Sequence, residues 1–199
     1  FHHLYKELLN FCTVDLSSFY FDIRKDTLYC DPTDSNKRQA CINILNIIIN
    51  SLLRWFAPIL TFTTEEIYKI INSKGESIHL EKLPEFPKNW KNEKLEKKWE
   101  ELISIRNYCN VSIEEKRAEK IIGSSLEAYI ELELKEDQFN KYKNFDFAEF
   151  FITSKVDLKI NSKNNEEIIV NTFKAKGKKC SLCWKISEEK CQRNNCSLK

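Results

Sequence analysis

The sequence predicts a mainly α protein, in which a helical bundle is followed by a small α/β segment and a short cysteine-rich tail. Long stretches have apolar residues at helical spacing. Only three glycines and four prolines occur in 199 residues, too few for the many turns of an all-β fold. After residue 120 the helical spacing changes to alternation of apolar and polar residues, and then to closely spaced cysteines. We assign residues 1–120 to the helical bundle, residues 121–173 to the α/β segment and residues 174–199 to the tail.

The first 29 residues predict one or two helices, because apolar side chains recur at helical spacing from Leu4 to Ile23. A turn-rich connection follows at residues 30–38. Residues 36–56 are apolar almost all round, which predicts a helix buried on most sides. Arg54 lies on this helix, and because an unpaired buried charge is costly, we expect it to pair with Asp15 or Glu65.

The next helix is predicted over residues 64–72, after the break at Ala57 and Pro58. Thr63 is in the position of an N-cap, and Glu66 would complete a capping box. Phe62 would pack against the first turn of the same helix as a hydrophobic staple.

A loop at residues 73–90 precedes a long amphipathic helix over residues 92–120. Beyond it, apolar and polar residues alternate over residues 126–134, which indicates a strand. Two further strands are predicted within residues 151–160 and 166–175. These strands define the small α/β segment.

Four cysteines of the tail have the spacing of a metal site. Cys180 and Cys183 form a Cys-x2-Cys knuckle, and Cys191 and Cys196 follow closely. Four thiolates can bind one zinc ion tetrahedrally in a closed structural site. A disulfide is the alternative. The remaining cysteines are scattered, as free core thiols are in a reducing compartment, which favours zinc. They are Cys12, Cys30, Cys41 and Cys109.

The tail is also basic. Residues 171–199 contain eight Lys or Arg and two Glu, a net charge of +6 in a chain whose total is +2. Trp184 directly follows the knuckle among Lys178, Lys179 and Lys185. A flat ring beside cations suits unpaired RNA bases. The alternatives are a solvated tail and a tryptophan that only covers the metal site.

We find no catalytic constellation and no glycine-rich phosphate loop in the sequence. No apolar run is long enough for a membrane span, and the N-terminus has no signal pattern, so we expect a cytoplasmic protein. The chain lacks methionine and opens on Phe1, which predicts that it is a piece of a longer protein.

Four segments together resemble the bacterial-type isoleucyl-tRNA synthetases, which are class I aminoacyl-tRNA synthetases. They are DLSSFYFDIRKDTLYCD from Asp15, RWFAPILTFTTEEIY from Arg54, KIIGSSLEAYI from Lys120 and KCSLCW from Lys179. The first, with IGSSLEA, is specific to that family, whereas APILTFTTEEI resembles the valyl, leucyl and methionyl relatives as well. The resemblance covers essentially the whole chain, in the same order and spacing.

The resemblance implies the C-terminal part of such an enzyme: the helical anticodon-binding bundle, an α/β junction and a zinc-bearing tail that binds the anticodon stem-loop of tRNA. The parent would be a monomer that activates isoleucine with ATP and magnesium in N-terminal catalytic and editing domains. The family's His-Ile-Gly-His and Lys-Met-Ser-Lys-Ser motifs are absent here. The family's second knuckle is also a Cys-x2-Cys pair, whereas four residues separate Cys191 from Cys196.

The predicted function is therefore tRNA binding without chemistry in this chain. Trp184 is the expected stacking residue, and the expected phosphate contacts are Lys176, Lys178, Lys179 and Lys185, together with Arg117 and Lys120 at the end of the long helix. One alternative is an interaction module that packs on the parent's other domains without contacting RNA. Another is the equivalent part of a valyl- or leucyl-type synthetase.

Overall fold

The structure is a computed structural model that describes residues 1–161, 168–189 and 191. Its mainly α class, with a small sheet and a cysteine cluster in the tail, confirms the predicted fold class. The chain divides into two compact units, residues 1–91 and 92–199. The long helix therefore belongs with the sheet, whereas the sequence analysis grouped it with the preceding helices up to residue 120.

The first unit begins with a nearly continuous helical segment in three parts. The parts are α1 (His2–Asn10), a π-helical stretch (Phe11–Phe21) and α2 (Asp22–Cys30). This segment confirms the prediction of helix here. Its wider central part was not predicted, because apolar spacing does not separate α from π geometry over a few turns. The helix ends where Asp31 becomes extended.

Two further helices and two short 3-10 turns complete the first unit. They are α3 (Asn36–Phe56), α4 (Thr61–Ile71), and the turns Ile78–Leu80 and Lys88–Trp90. Ser35 caps α3 by accepting a hydrogen bond from the Arg38 amide at 3.5 Å. The helix ends at the residue before Ala57 and Pro58, as the proline rule predicts.

The predicted capping box of α4 is wrong. The helix begins at Thr61, and its N-cap residue, Leu60, makes no side-chain cap hydrogen bond. The amides of Ile59 and Leu60 both donate to the Phe56 carbonyl, so the connector consists of tight turns. The helix α4 therefore begins three residues before the predicted start at residue 64. Phe62 is 89% exposed and forms no staple.

The expectation that α3 is buried on most sides is also wrong for the unit that the structure describes. Its buried residues are Cys41, Ser51 and Leu53, while Ile44 and Ile47 are exposed. One core cluster of this unit comprises Leu53, Ala57, Tyr68 and Ile78, with Ile49 and Ile67 packed against it. The apolar pattern of a helix shows which of its faces are suited to burial. It does not show that other residues of this chain cover all of those faces.

Arg54 pairs with Glu81 at 2.9 Å, and not with Asp15 or Glu65 as predicted. The Tyr68 hydroxyl donates to the other Glu81 oxygen at 2.5 Å. These bonds, from Tyr68 first and Arg54 second, lower the pKa of the Glu81 carboxyl. Glu65 instead accepts hydrogen bonds from residues 77 and 78. Glu81, the partner of Arg54, lies in a loop 27 residues away from it in sequence. The helical spacing of apolar residues does not indicate which loop residue pairs with Arg54.

The second unit is built on α5 (Glu93–Ala118) and a three-stranded sheet. Asn92 caps α5 by accepting a hydrogen bond from the Leu95 amide at 3.0 Å. The strands are β1 (Ala128–Leu134), β2 (Lys155–Ile160) and β3 (Ile169–Lys174), and α6 (Glu136–Tyr142) and α7 (Phe147–Phe150) connect the first two. The strand order is β2-β1-β3, with β2 parallel and β3 antiparallel to β1.

One face of this sheet forms the core of the second unit. Alternate residues of β1 are fully buried, which confirms the strand prediction: Ala128, Ile130, Leu132 and Leu134. Leu102, Ile105 and Cys109 of α5 are fully buried as well. The Ser112 hydroxyl of α5 lies 2.8 Å from the Thr172 hydroxyl of β3. The buried Arg106 donates to the Phe150 carbonyl at 2.7 Å.

Glu101 of α5 joins α6 through three hydrogen bonds, from Gln138, Lys141 and Tyr142. Burial opposes ionisation of Glu101, but these bonds outweigh it and lower the pKa of the carboxyl from its ordinary 4.5. The unfolded chain therefore takes up this proton at a higher pH than the folded protein does. The resulting stability is present above about pH 4.5 and is lost as the pH falls further.

We expect the free energy of unfolding, measured by urea denaturation between pH 7 and pH 3, to decrease below about pH 4.5. In Glu101→Gln this decrease should be smaller, because residue 101 no longer titrates. The exposed neighbour provides the control, and Glu100→Gln should follow the parent curve. Parallel curves for Glu101→Gln and the parent would contradict this assignment.

Candidate metal centre

Three tail cysteines converge in the structure. The Sγ atoms of Cys180, Cys183 and Cys191 all lie within 4.8 Å of one another, and the first two residues are buried. Zinc–thiolate bonds of about 2.3 Å in a tetrahedron place two sulfurs about 3.8 Å apart, so this donor set fits zinc after a small contraction. The fourth predicted ligand, Cys196, lies outside the described residues.

The backbone of the first knuckle is held by three hydrogen bonds. The Cys180 amide donates to the Lys185 carbonyl at 2.9 Å, and the Trp184 amide donates to the Cys180 carbonyl at 3.0 Å. The Leu182 amide points at the Cys180 sulfur at 3.4 Å. An amide directed at sulfur stabilises a thiolate and orients it as a ligand. The segment from Cys180 to Lys185 is thus folded around the sulfur atoms.

A two-stranded hairpin, β4 (Lys178–Lys179) and β5 (Ile186–Ser187), flanks the knuckle. Gly177 enters the hairpin with φ of 121°, a conformation that side chains rarely adopt. A Cβ atom at this position would lie 2.2 Å from the carbonyl carbon and oxygen of Ser187. Glycine therefore permits the close approach of the two strands that brings Cys191 toward the knuckle.

A hydroxyl group outside the hairpin connects it to the rest of the second unit. Ser154 Oγ accepts a hydrogen bond from the Ile186 amide at 2.6 Å and donates to the Leu126 carbonyl. Lys179 lies 3.8 Å from the Glu127 carboxylate. The sequence analysis missed Ser154, because a serine before a strand carries no signal of a partner 32 residues away.

Trp184 is 60% exposed and has a left-handed backbone with φ of 61°. More than half of the Trp184 surface is therefore accessible to solvent. Lys176, Lys178 and Lys179 are exposed around the hairpin, and Lys185 is half-buried. The left-handed conformation is unfavourable for a large side chain, by roughly 1–3 kcal/mol, and such strain is common at functional positions.

The other two predicted contacts lie apart from the hairpin residues. Arg117 is paired with Glu114 at 2.7 Å at the end of α5. Lys120 has a left-handed backbone with φ of 58°. Both line an open cleft of about 430 Å³ together with Ile122 and Gly123, and none of the described tail residues lines this cleft.

The chain is similar to known proteins along most of its length. Residues 1–134 match a family profile described as the anticodon-binding domain of tRNA ligase. The cysteine hairpin lies beyond this match.

No helix in the described part of the chain is long and apolar enough to cross a membrane.

Three curated relatives carry the name isoleucine-tRNA ligase. The chain is 56% identical to that of Pelagibacter ubique over 195 residues, which is 98% of this chain and 21% of the relative. It is 41% identical to that of Methylacidiphilum infernorum, over 94% of this chain and 20% of the relative. It is 38% identical to that of Agrobacterium fabrum, over 95% and 20%. The chain thus spans about a fifth of the length of the curated relatives it matches.

Proposed function

The chain belongs to the family of anticodon-binding domains of tRNA ligases, and we propose that it binds the anticodon stem-loop of isoleucine tRNA within an isoleucine-tRNA ligase. The main support for tRNA contact in the tail is the position of Trp184, exposed beside the metal-binding cysteines and among lysines. The names of the relatives support isoleucine over valine or leucine.

In this proposal the three clustered cysteines and Cys196 hold one structural zinc ion. Zinc binding supplies folding energy to a segment too short to have its own core. With four thiolates the centre has a charge of about −2, and the surrounding lysines keep the tail basic. The metal takes no part in a reaction. It fixes the positions of Trp184 and the adjacent lysines.

The lysines supply affinity, and the tryptophan supplies contact with an unpaired base. Phosphate contacts position RNA without reading its sequence, whereas splayed anticodon bases stack on aromatic rings. The proposed phosphate contacts are Lys176, Lys178, Lys179 and Lys185, with Arg117 and Lys120 at the cleft beside the end of α5. Because Arg117 is paired with Glu114, its contact with phosphate would require that ion pair to open.

Activation of isoleucine with ATP and magnesium, transfer to tRNA and editing are assigned to the remaining length of the ligase. The proposed enzyme is monomeric and cytoplasmic. This chain then contributes binding energy and tRNA identity.

Replacing Trp184 with glycine should weaken binding of isoleucine tRNA by about tenfold or more, because stacking contributes about 1–3 kcal/mol per base. Glycine adopts positive φ readily, so this substitution removes the ring and relieves the backbone strain at once. Zinc content should therefore be unchanged. Affinity is measured by fluorescence anisotropy with the zinc-loaded protein, across a salt series and with an anticodon-substituted tRNA.

Trp90→Ala is the matched control, because Trp90 is 56% exposed and lies far from the tail in sequence. It should bind tRNA as the parent does. Phosphate contacts predict that parental affinity falls steeply as salt rises. Weak binding that is indifferent to salt, to the anticodon and to Trp184→Gly would favour an interaction module that packs on other parts of the ligase.

A further inference from the structure

The outer face of the three-stranded sheet has a row of three side chains that the sequence analysis did not identify. Tyr129 on β1 lies directly opposite Lys155 on β2 and Phe173 on β3. The rings of Tyr129 and Phe173 are 5.9 Å apart between centroids and inclined by 30°. Lys155 Nζ lies 5.3 Å from the centroid of the Tyr129 ring. We call these three residues the aromatic row.

The aromatic row lies on the face of the sheet opposite to the buried core. Alternation along β1 sends Ala128 and Ile130 into the core and Tyr129 to the outside. Outer positions of a half-buried sheet are usually polar, yet Phe173 is 48% exposed here. The two neighbouring rings form one continuous aromatic area on the pleated surface, which scattered exposed aromatics do not form.

The aromatic row forms one wall of a groove of about 630 Å³, and the hairpin forms the other. Tyr129 is fixed in position, because its hydroxyl lies 2.9 Å from a Glu131 carboxylate oxygen and 2.8 Å from an Asp157 carboxylate oxygen, and its single hydrogen is shared between these two acceptors. The groove is partly open to solvent, and its volume is large enough for a nucleic-acid base.

Both signs of charge line the groove, and their arrangement determines where an anion fits. Glu131 is paired with Lys159 at 2.9 Å, and Lys155 is paired with Asp157 at 3.0 Å. These pairs cancel at the β1 and β2 side. At the β3 side Lys174 and Lys176 are exposed, and both line the groove.

Among the described residues, the remaining charges that line the groove are acidic. Glu188 and Glu189 line the hairpin wall of the groove and are exposed. They repel phosphate and so restrict a polyanion to the edge formed by β3.

We propose that the aromatic row stacks an unpaired base of RNA whose flanking phosphates lie at Lys174 and Lys176. Stacked rings beside a basic edge are the combination by which sheet surfaces bind single-stranded RNA. This inference rests on the proposed function and adds a second base contact to the one at Trp184.

Phe173→Leu tests the aromatic row, because leucine keeps an apolar side chain on β3 while the ring is removed. The zinc-loaded protein is titrated with isoleucine tRNA and with a single-stranded oligonucleotide of the anticodon-loop sequence. We expect about a tenfold loss of affinity for both, with an unchanged dependence on salt because no phosphate contact is lost. Lys176→Gln should instead reduce the slope of log affinity against log salt by about one.

Tyr108→Leu is the control, because Tyr108 is 56% exposed on α5 of the same unit and does not line the groove. It should bind as the parent does. If Phe173→Leu bound tRNA as tightly as the unsubstituted protein while Trp184→Gly bound it more weakly, the stacking role of the aromatic row would be wrong and the proposed function would stand. If the unsubstituted chain did not bind tRNA, both the proposed function and the stacking role of the aromatic row would be wrong. If the groove bound a peptide more tightly than it bound the oligonucleotide, the inference would also be wrong.

Discussion

Cys183→Ser should lose tightly bound zinc and, with it, the folded hairpin of the tail. Serine is not ionised at neutral pH and is a poor ligand for zinc, whereas the Cys183 sulfur lies within 4.8 Å of the other two sulfurs. Binding of structural zinc by such sites corresponds to about 10–16 kcal/mol, so loss of one ligand should weaken zinc affinity on the order of a hundredfold or more. Zinc content and competition with a chelator measure the effect.

Cys12→Ser is the control for this substitution. Cys12 is a half-buried free thiol in the π-helical stretch and belongs to no group of metal-ligating side chains among the described residues. Its replacement should leave one equivalent of zinc bound. If Cys183→Ser kept zinc with parental affinity, the clustered sulfurs would not be the metal site.

Gly177→Ala should open the hairpin even though it leaves every metal ligand in place. The added Cβ would overlap the Ser187 backbone at 2.2 Å, and φ of 121° is itself unfavourable for alanine. Backbone strain of this kind costs roughly 1–3 kcal/mol before the overlap is counted. Because β4 and β5 pair through only two residues each, the hairpin has little other stability to offset that cost.

The measurable result is weaker zinc binding, by about tenfold or more, and loss of the backbone resonances of the folded hairpin. Gly123→Ala is the matched control. A Cβ atom there would meet the Glu127 carboxylate at 3.6 Å, an ordinary contact, and φ at Gly123 is not in the left-handed region. Equal zinc affinity in both variants would show that Gly177 is not required for the approach of the strands.

The elements that sequence predicted well are those with a local cause. The break after α3 follows from Pro58, and β1 follows from the alternation of its residues. The first three clustered cysteines were predicted because metal ligands have narrow spacing rules.

The features that sequence did not predict depend on contacts between distant residues. Alternation placed Tyr129 on an outer face, but only the antiparallel register of β3 brings Phe173 beside it. Helical spacing could not indicate that Glu81 is the partner of Arg54. The capping box at Thr63 failed because its local signal competed with hydrogen bonds of the connector to Phe56. Roles in tRNA binding stay predictions, since they depend on the bound RNA.

The strand order β2-β1-β3 bears on how the second unit assembles during synthesis. The central strand is made first, and each later strand adds to an edge that already exists, so no strand has to be inserted between two others. Pairing therefore proceeds outward in the order in which the ribosome releases the chain. The hairpin is made after these three strands, so its anchor at Ser154 is already in place. In the proposed metal site, zinc is therefore bound after the strands that anchor the hairpin have been made.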